Sequence, residues 1–234
     1  SKREVLERKD FFIKEISKGK IFIYPTDTIY GIGCDSNNGK SIEKIRLIKR
    51  RDMKPFSVIV PDKYWIKKNC LVTESAKKWI EKLPGKYTFI LMLKKESVIN
   101  NKINNGSKTL GIRIPDNWFS KIVEEFGRPF ITTSVNFSGE KPIKNLEELD
   151  SKICKDVDYF IDEGVLDSTP STIINLTEGE EIINRQISLK KEQKSQLSIF
   201  DFKPPKRISL GVLSHSTSLR VNSESKELKN FSFS

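Results

Sequence analysis

Several short stretches place polar side chains of useful chemistry at the ends of apolar runs. Pro25-Thr26-Asp27-Thr28-Ile29-Tyr30-Gly31 directly follows the run Ile21-Phe22-Ile23-Tyr24. Ligands of open α/β sheets collect beyond strand ends, so a hydroxyl-rich turn there can line a pocket; the same residues also suit an ordinary turn closed by Asx and Thr side-chain bonds. Lys49-Arg50-Arg51-Asp52-Met53-Lys54 carries four cations in six residues at the end of an Ile42/Ile45/Ile48 stripe. Cations commonly complement a helix C-terminus, but this density also suits a polyphosphate. Lys49 and Arg51 are two residues apart, so they can reach one anion only if the chain leaves the helix there.

Period-2 alternation supplies two further sets. In Thr132-Thr133-Ser134-Val135-Asn136, residues Thr132, Ser134 and Asn136 share one strand face. In Thr109-Leu110-Gly111-Ile112-Arg113, the residues Thr109, Gly111 and Arg113 share another. A buried Arg in such a strand needs a carboxylate or phosphate partner, and Gly111 is expected to leave room for a ligand. Ser171-Thr172 opens a later strand, and Arg185 follows it after a short turn. Three or more cations with neutral hydroxyl and amide groups fit a nucleoside triphosphate together with a small polar acid.

The remaining composition excludes several chemistries. The one histidine, His215, sits among serines, so a Ser-His-Asp or Cys-His enzyme is not expected. Cys34, Cys70 and Cys154 are scattered and form no CxxC, which indicates neither a disulfide framework nor a zinc site, and no protein metal site is expected. No apolar run approaches the ~20 residues of a membrane span, and the charged start SKREVLERKD lacks a signal-peptide core. Forty-two Lys and Arg against 31 Asp and Glu give a net charge of +11, which favours anionic partners such as nucleotides or RNA.

The elements that must position these residues alternate along residues 1–187. Val5, Leu6, Phe12, Ile13 and Ile16 predict one amphipathic helix stopping near Gly19. Strands are expected at Ile21–Thr26, Phe56–Asp62, Tyr87–Leu93, Leu110–Pro115, Pro129–Asn136, Asp158–Asp162 and Ser171–Thr177. Helices are expected to open at Ser41, at Thr73 and at Asp116 or Asn117, with another through Leu146, Leu149 and Ile153. The alternation predicts an α/β fold, a twisted mixed sheet with flanking helices. From Ser188 the periodicity fades, and 188–234 reads as a Ser- and Lys-rich arm or linker appended to a 1–187 domain.

Taken in order, the blocks PTDTIYGIG at 25–33, Lys49-Arg50-Arg51, KPFSVIV at 54–60, PGKYTFIL at 84–91, LGIRIPD at 110–116, TTSVNFSGEKP at 132–142 and STIINLT at 171–177 resemble the YrdC-like family, the threonylcarbamoyl-AMP synthases. The resemblance spans roughly residues 5–187. It implies a twisted α/β sheet with a positively charged concave face. It also implies a nucleotidyltransferase that makes L-threonylcarbamoyl-adenylate and pyrophosphate from L-threonine, bicarbonate and ATP, for tRNA threonylcarbamoyladenosine modification. Mg²⁺ would accompany ATP, a downstream threonylcarbamoyl-transferase complex would consume the product, and the setting would be cytoplasmic. Two paralogous readings stay open: a non-catalytic binder of double-stranded RNA or tRNA, and a threonylcarbamoyladenosine hydrolase.

Carried over block by block, the resemblance assigns catalysis to Lys49, Arg51, Ser134 and Asn136. These residues, with Lys54, Thr109 and Arg185, would hold ATP. Thr28, Tyr30, Arg113, Thr132 and Ser171 would bind threonine, Arg113 clamping its α-carboxylate bidentately. The chain departs from the family pattern in places: the loop after Arg51 is one residue shorter, Ile59 stands where some members have His, and Pro170 replaces the commoner acidic residue before Ser171-Thr172. The 188–234 arm is too short for the second domain of the longer branch and is expected to fold over the site mouth.

Overall fold

The computed structural model describes residues 1–51, 54–178 and, as backbone, 181–183. Arg185 and the 188–234 arm lie outside the described residues. Nine strands form one mixed sheet: β1 (Phe22–Tyr24), β2 (Gly31–Gly33), β3 (Ser57–Ile59), β4 (Tyr87–Met92), β5 (Thr109–Arg113), β6 (Phe130–Ser134), β7 (Tyr159–Phe160), β8 (Thr172–Asn175) and β9 (Glu181–Ile183). Their spatial order is β7-β1-β2-β6-β3-β5-β4-β8-β9. The β1–β7, β3–β5 and β4–β8 pairs are parallel, and the others antiparallel. The α/β architecture with flanking helices is the one the alternation predicts.

Alternation along the strands builds two cores, one on each sheet face. On the first, Phe22 and Tyr24 of β1, Ile59 of β3 and Phe130 of β6 pack with α1 (Lys2–Glu7), α2 (Lys9–Ser17) and α6 (Phe119–Phe126). Tyr24 stacks on Phe119 with ring centroids 4.1 Å apart. On the second, Ile23, Ile32, Val58, Phe89, Leu91, Ile112 and Ile131 meet the isoleucines of α3 (Gly39–Ile48) and the buried residues of α4 (Lys63–Asn69) and α5 (Glu74–Ile80). A short α7 (Ser151–Cys154) adds Ile153 to this core.

The helices of the first face do not reach the middle of the sheet. Ser57 shares a face with Ile59, and Thr132 with Phe130; the register places Ser57 between Gly111 and Thr132 and sets Arg113 opposite Ile59. Thr88 lies two residues from Ile90, the partner of Gly111. This uncovered part of the first face is therefore polar where the covered part is aromatic.

Several elements differ from the expected ones. The N-terminal helix breaks at Arg8 (φ −117°, ψ 27°), although Val5, Phe12 and Ile16 still share one buried cluster. Asn38 caps α3, accepting from the Ser41 amide at 3.0 Å, so the helix starts before Ser41. The Leu146–Ile153 helix is instead a 3₁₀ turn (Leu146–Glu148) and α7, because Asn145 and Asp150 each cap a separate turn. Strand β6 ends at Ser134, so Asn136 has left the sheet. Strands β2 and β9 and helix α4 are additional; β2 hides within the polar turn because Gly31 and Gly33 carry no side-chain signal.

Those glycines have specific jobs. A Cβ on Gly31 would lie 2.9 Å from the Tyr24 ring, its cross-strand partner, and one on Gly33 would lie 1.8 Å from the Ile131 carbonyl oxygen. No helix among the described residues is long and apolar enough to cross a membrane. The cysteines are unpaired; Cys34 and Cys70 are buried, and burial pushes the Cys70 thiol up to about 12. Gly33→Ala is expected to destabilise the fold by about 3 kcal/mol in urea unfolding, because the Ile131 backbone cannot yield cheaply. A thiol reagent at pH 8 should modify Cys154 in the native protein and reach Cys34 and Cys70 only on unfolding.

Candidate functional site

The uncovered polar part of the sheet forms the floor of a recess of about 470 Å³, measured out to its open mouth. Of the residues singled out in the sequence, Thr28, Tyr30, Arg51, Arg113, Thr132, Ser134 and Ser171 line it. They come from five separate segments. Thr26, Ser57, Thr88, Thr133 and Pro170 line it as well. Alternation in YTFILM could have flagged Thr88, a hydroxyl on the face opposite Phe89 and Leu91. Thr26, Thr133 and Pro170 belong to segments the sequence already marks, whereas Ser57 is legible only through cross-strand register.

Arg113 is the charged centre of one end. Its side chain is 8% exposed, and its Nη2 donates to Asp27 Oδ1 at 2.8 Å and to Thr28 Oγ1 at 3.3 Å. Asp27, its side chain 4% exposed, also accepts from the Asp116 amide at 3.0 Å. The Nε of Arg113 is buried with no partner. Burial lowers the Arg113 pKa, and Asp27 opposes that shift. Nη2 is already engaged, so a carboxylate would exchange with existing bonds or use the remaining donors. The sequence places Asp27 in the polar turn and assigns it no partner.

Proton counting fixes the polarity of the hydroxyls. Thr26 donates its one hydroxyl proton to the Ile29 carbonyl at 2.7 Å, so in the Thr26–Thr28 pair, 2.9 Å apart, Thr28 donates. Thr28 thus faces the recess as an acceptor. Thr132 accepts from Tyr24 Oη at 2.7 Å, which leaves its own proton to give. Ser171 and Thr88 bond to each other at 2.8 Å. Tyr30 spends its hydroxyl elsewhere: it donates toward the Gly164 carbonyl at 2.8 Å and accepts from the Glu163 amide at 3.0 Å, tying down the 162–164 loop. Burial raises its pKa.

At the other end, helix α3 stops at Ile48 and Arg50 adopts φ +46°, so the chain leaves the helix where the cations begin. Arg51 lines the recess, with its Nε on the Lys54 carbonyl at 3.2 Å and Nη2 on the Pro55 carbonyl at 2.6 Å. Lys49 does not face it. It is 1% exposed, and its ammonium donates to the Ser134 carbonyl, to the Asn136 carbonyl at 2.8 Å and to Asn136 Oδ1 at 2.9 Å. Asn136 is likewise committed, taking the Ser134 hydroxyl at 2.6 Å and donating to the Glu140 carbonyl at 2.6 Å. The expected pair of cations therefore divides: Arg51 points to the recess, while Lys49 clamps the segment that presents Ser134.

Lys54 is exposed and Thr109 bonds Ser107 at 2.9 Å; neither lines the recess. Gly111 also differs from expectation. A Cβ there would lie 2.5 Å from Ser57 Oγ, so the missing side chain accommodates Ser57 and only through it the recess. Lys49→Met should lower stability by about 3 kcal/mol in urea unfolding without any ligand, since it strips a charge-assisted bond network from a buried segment. A residue serving only as a solvent-facing phosphate contact would show no such loss.

The profile of the Sua5, YciO and YrdC family, described as Telomere recombination, matches residues 14–186. A protein of Methanocaldococcus jannaschii with a provisional threonylcarbamoyl-AMP synthase name is 43% identical over 187 residues, covering 78% of this chain and 85% of that protein. The crystal structure of Escherichia coli YciO superposes with a TM-score of 0.67 at 28% identity, covering 78% of this chain and 89% of YciO. Sua5 of P. abyssi, solved with L-threonine, shares the fold at a TM-score of 0.64 and 23% identity; the match covers 73% of this chain and spans about half the length of that protein (51%). On the extent of the profile match and the identity to the M. jannaschii protein, this chain belongs to the Sua5/YciO/YrdC family.

Proposed function

We propose that the protein makes L-threonylcarbamoyl-adenylate from L-threonine, bicarbonate and ATP with release of pyrophosphate, and that the product serves tRNA threonylcarbamoyladenosine modification. One observation carries this reading: a single recess joins an Arg113, Thr28, Thr132 and Ser171 end to an Arg51 and Ser134 end. The first suits a small hydroxy amino acid and the second suits phosphates. The name of the M. jannaschii relative and the threonine bound to P. abyssi Sua5 support it.

In this reading the threonine amine adds to CO₂ with loss of a proton, or to bicarbonate with loss of water, and a carbamate oxygen attacks the α-phosphorus as pyrophosphate leaves. No side-chain nucleophile is needed, and the protein acts by positioning and by stabilising charge. Arg113 and the Thr132 hydroxyl proton hold the carboxylate end. Arg51 steadies the phosphates, the Ser134 hydroxyl joins it by exchanging its proton from Asn136 Oδ1 to a phosphate oxygen, and Lys49 and Asn136 fix where Ser134 stands. Arg185 is kept as a further phosphate contact. Among the described residues no carboxylate lines the recess, so Mg²⁺ would enter with ATP, held by phosphate oxygens and water.

The RNA-binding paralogue draws on the net charge of +11 and the hydrolase on the shared fold; neither accounts for the two-ended recess. Pyrophosphate release from ATP should require both L-threonine and bicarbonate; release without threonine, or none at all, would reject the synthase. Arg113→Ala should raise the KM for threonine and Arg51→Ala the KM for ATP, each losing about 2–4 kcal/mol of transition-state stabilisation in kcat/KM.

A further inference from the structure

The recess carries a charge balance at its amino-acid end. The side chains of Arg113 and Asp27 are both more than nine-tenths buried and bonded at 2.8 Å, so among the described residues this end is electrically neutral before any ligand enters. Arg51 is the other charged residue among those lining the recess and belongs to the phosphate end. Asp116 touches the pair only through its backbone amide, and its carboxylate belongs to an exposed residue.

A buried site tolerates added net charge poorly. A zwitterion brings a carboxylate to Arg113 and an ammonium beside the Thr28 acceptor and adds no net charge. A carboxylate without an amine would leave one buried negative charge uncompensated. Were Asp27 absent, Arg113 alone would balance such a carboxylate, and the zwitterion would become the ligand carrying excess charge. The unpartnered Nε of Arg113 marks donor capacity still to be met at this end.

We propose that Asp27 is a specificity-determining residue, which makes the recess select a zwitterionic α-amino acid over an amine-free carboxylate by neutralising Arg113. The inference rests on the threonine reading above and adds to it a charge criterion that Thr28, Thr132 and Ser171 do not impose.

The test is calorimetric binding of three isosteric probes to the full chain: L-threonine (neutral overall), 3-hydroxybutyrate (an anion lacking the amine) and L-threoninamide (a cation). Wild-type protein should bind threonine at least about 10-fold more tightly than either charged probe. Asp27→Asn should narrow or invert the threonine to 3-hydroxybutyrate ratio by about 10-fold, leaving the KM for ATP within about twofold, whereas Asp27→Glu should keep the wild-type preference at lower affinity. A ratio unchanged in folded Asp27→Asn, or a Glu variant that behaves as Asn does, overturns the inference. If Asp27→Asn does not fold, equal wild-type affinity for threonine and 3-hydroxybutyrate overturns it equally. Wild-type protein that binds no threonine rejects the synthase reading itself, a result distinct from threonine binding without charge discrimination.

Discussion

A guanidinium cannot be taken out of water without an anion, and that constraint organises the site. Arg113 stands at the end of β5 on a face that elsewhere is aromatic. Its burial is tolerable because Asp27 reaches it from the turn after β1 and is held in turn by the Asp116 amide. The pair ties the PTDTIYG turn to the β5 end, 86 residues apart in sequence. Replacing both partners with apolar groups would cost the fold little, as buried ion pairs are seldom net stabilisers. The pair is better explained by what it prepares, a fixed cation at a neutral polar floor.

The sheet supplies the rigidity that this floor needs. Its second face is covered by α3, α4 and α5 over an aliphatic core, and its first face is covered by α1, α2 and α6 only beside β1, β6 and the end of β3. The remaining strand positions carry Ser57, Thr88, Gly111 and Thr132. Thr132 is pinned by Tyr24, Thr88 by Ser171, and Ser57 is packed against Gly111, so these hydroxyls are held in place before a ligand arrives. Tyr24 reaches Thr132 because Gly31, across the strand pair, leaves the ring its space.

Opposite this floor, the cationic turn divides its labour. The left-handed Arg50 lets successive cations diverge: its own guanidinium lies 4.3 Å from the Phe137 ring centroid, Arg51 lines the recess, and Lys49 turns inward. An ammonium with three carbonyl or amide oxygens around it is a structural cation, and its effect on chemistry passes through Ser134 and Asn136. Charge at the end of a helix is ambiguous in a sequence for this reason: the same residues can complement the helix dipole, brace a loop or meet a ligand.

The sequence by itself determined the α/β class, most strand positions, and the residue types at the strand ends, because period-2 and period-3.6 patterns are local consequences of backbone geometry. It also marked Thr28, Arg51, Arg113, Thr132, Ser134 and Ser171, since polar groups inside apolar runs stand out against their neighbours. It did not reveal that Asp27 pairs with Arg113, that Lys49 faces inward, that Gly111 makes room for Ser57, or that β2 exists at all. Those facts depend on register between strands distant in the chain and on which stretch of a face the helices fail to cover. Only the tertiary structure decides them, because a side chain's partner is chosen by proximity in space, and a one-residue change of register would send Arg113, Ser57 or Thr132 to the other side of the sheet.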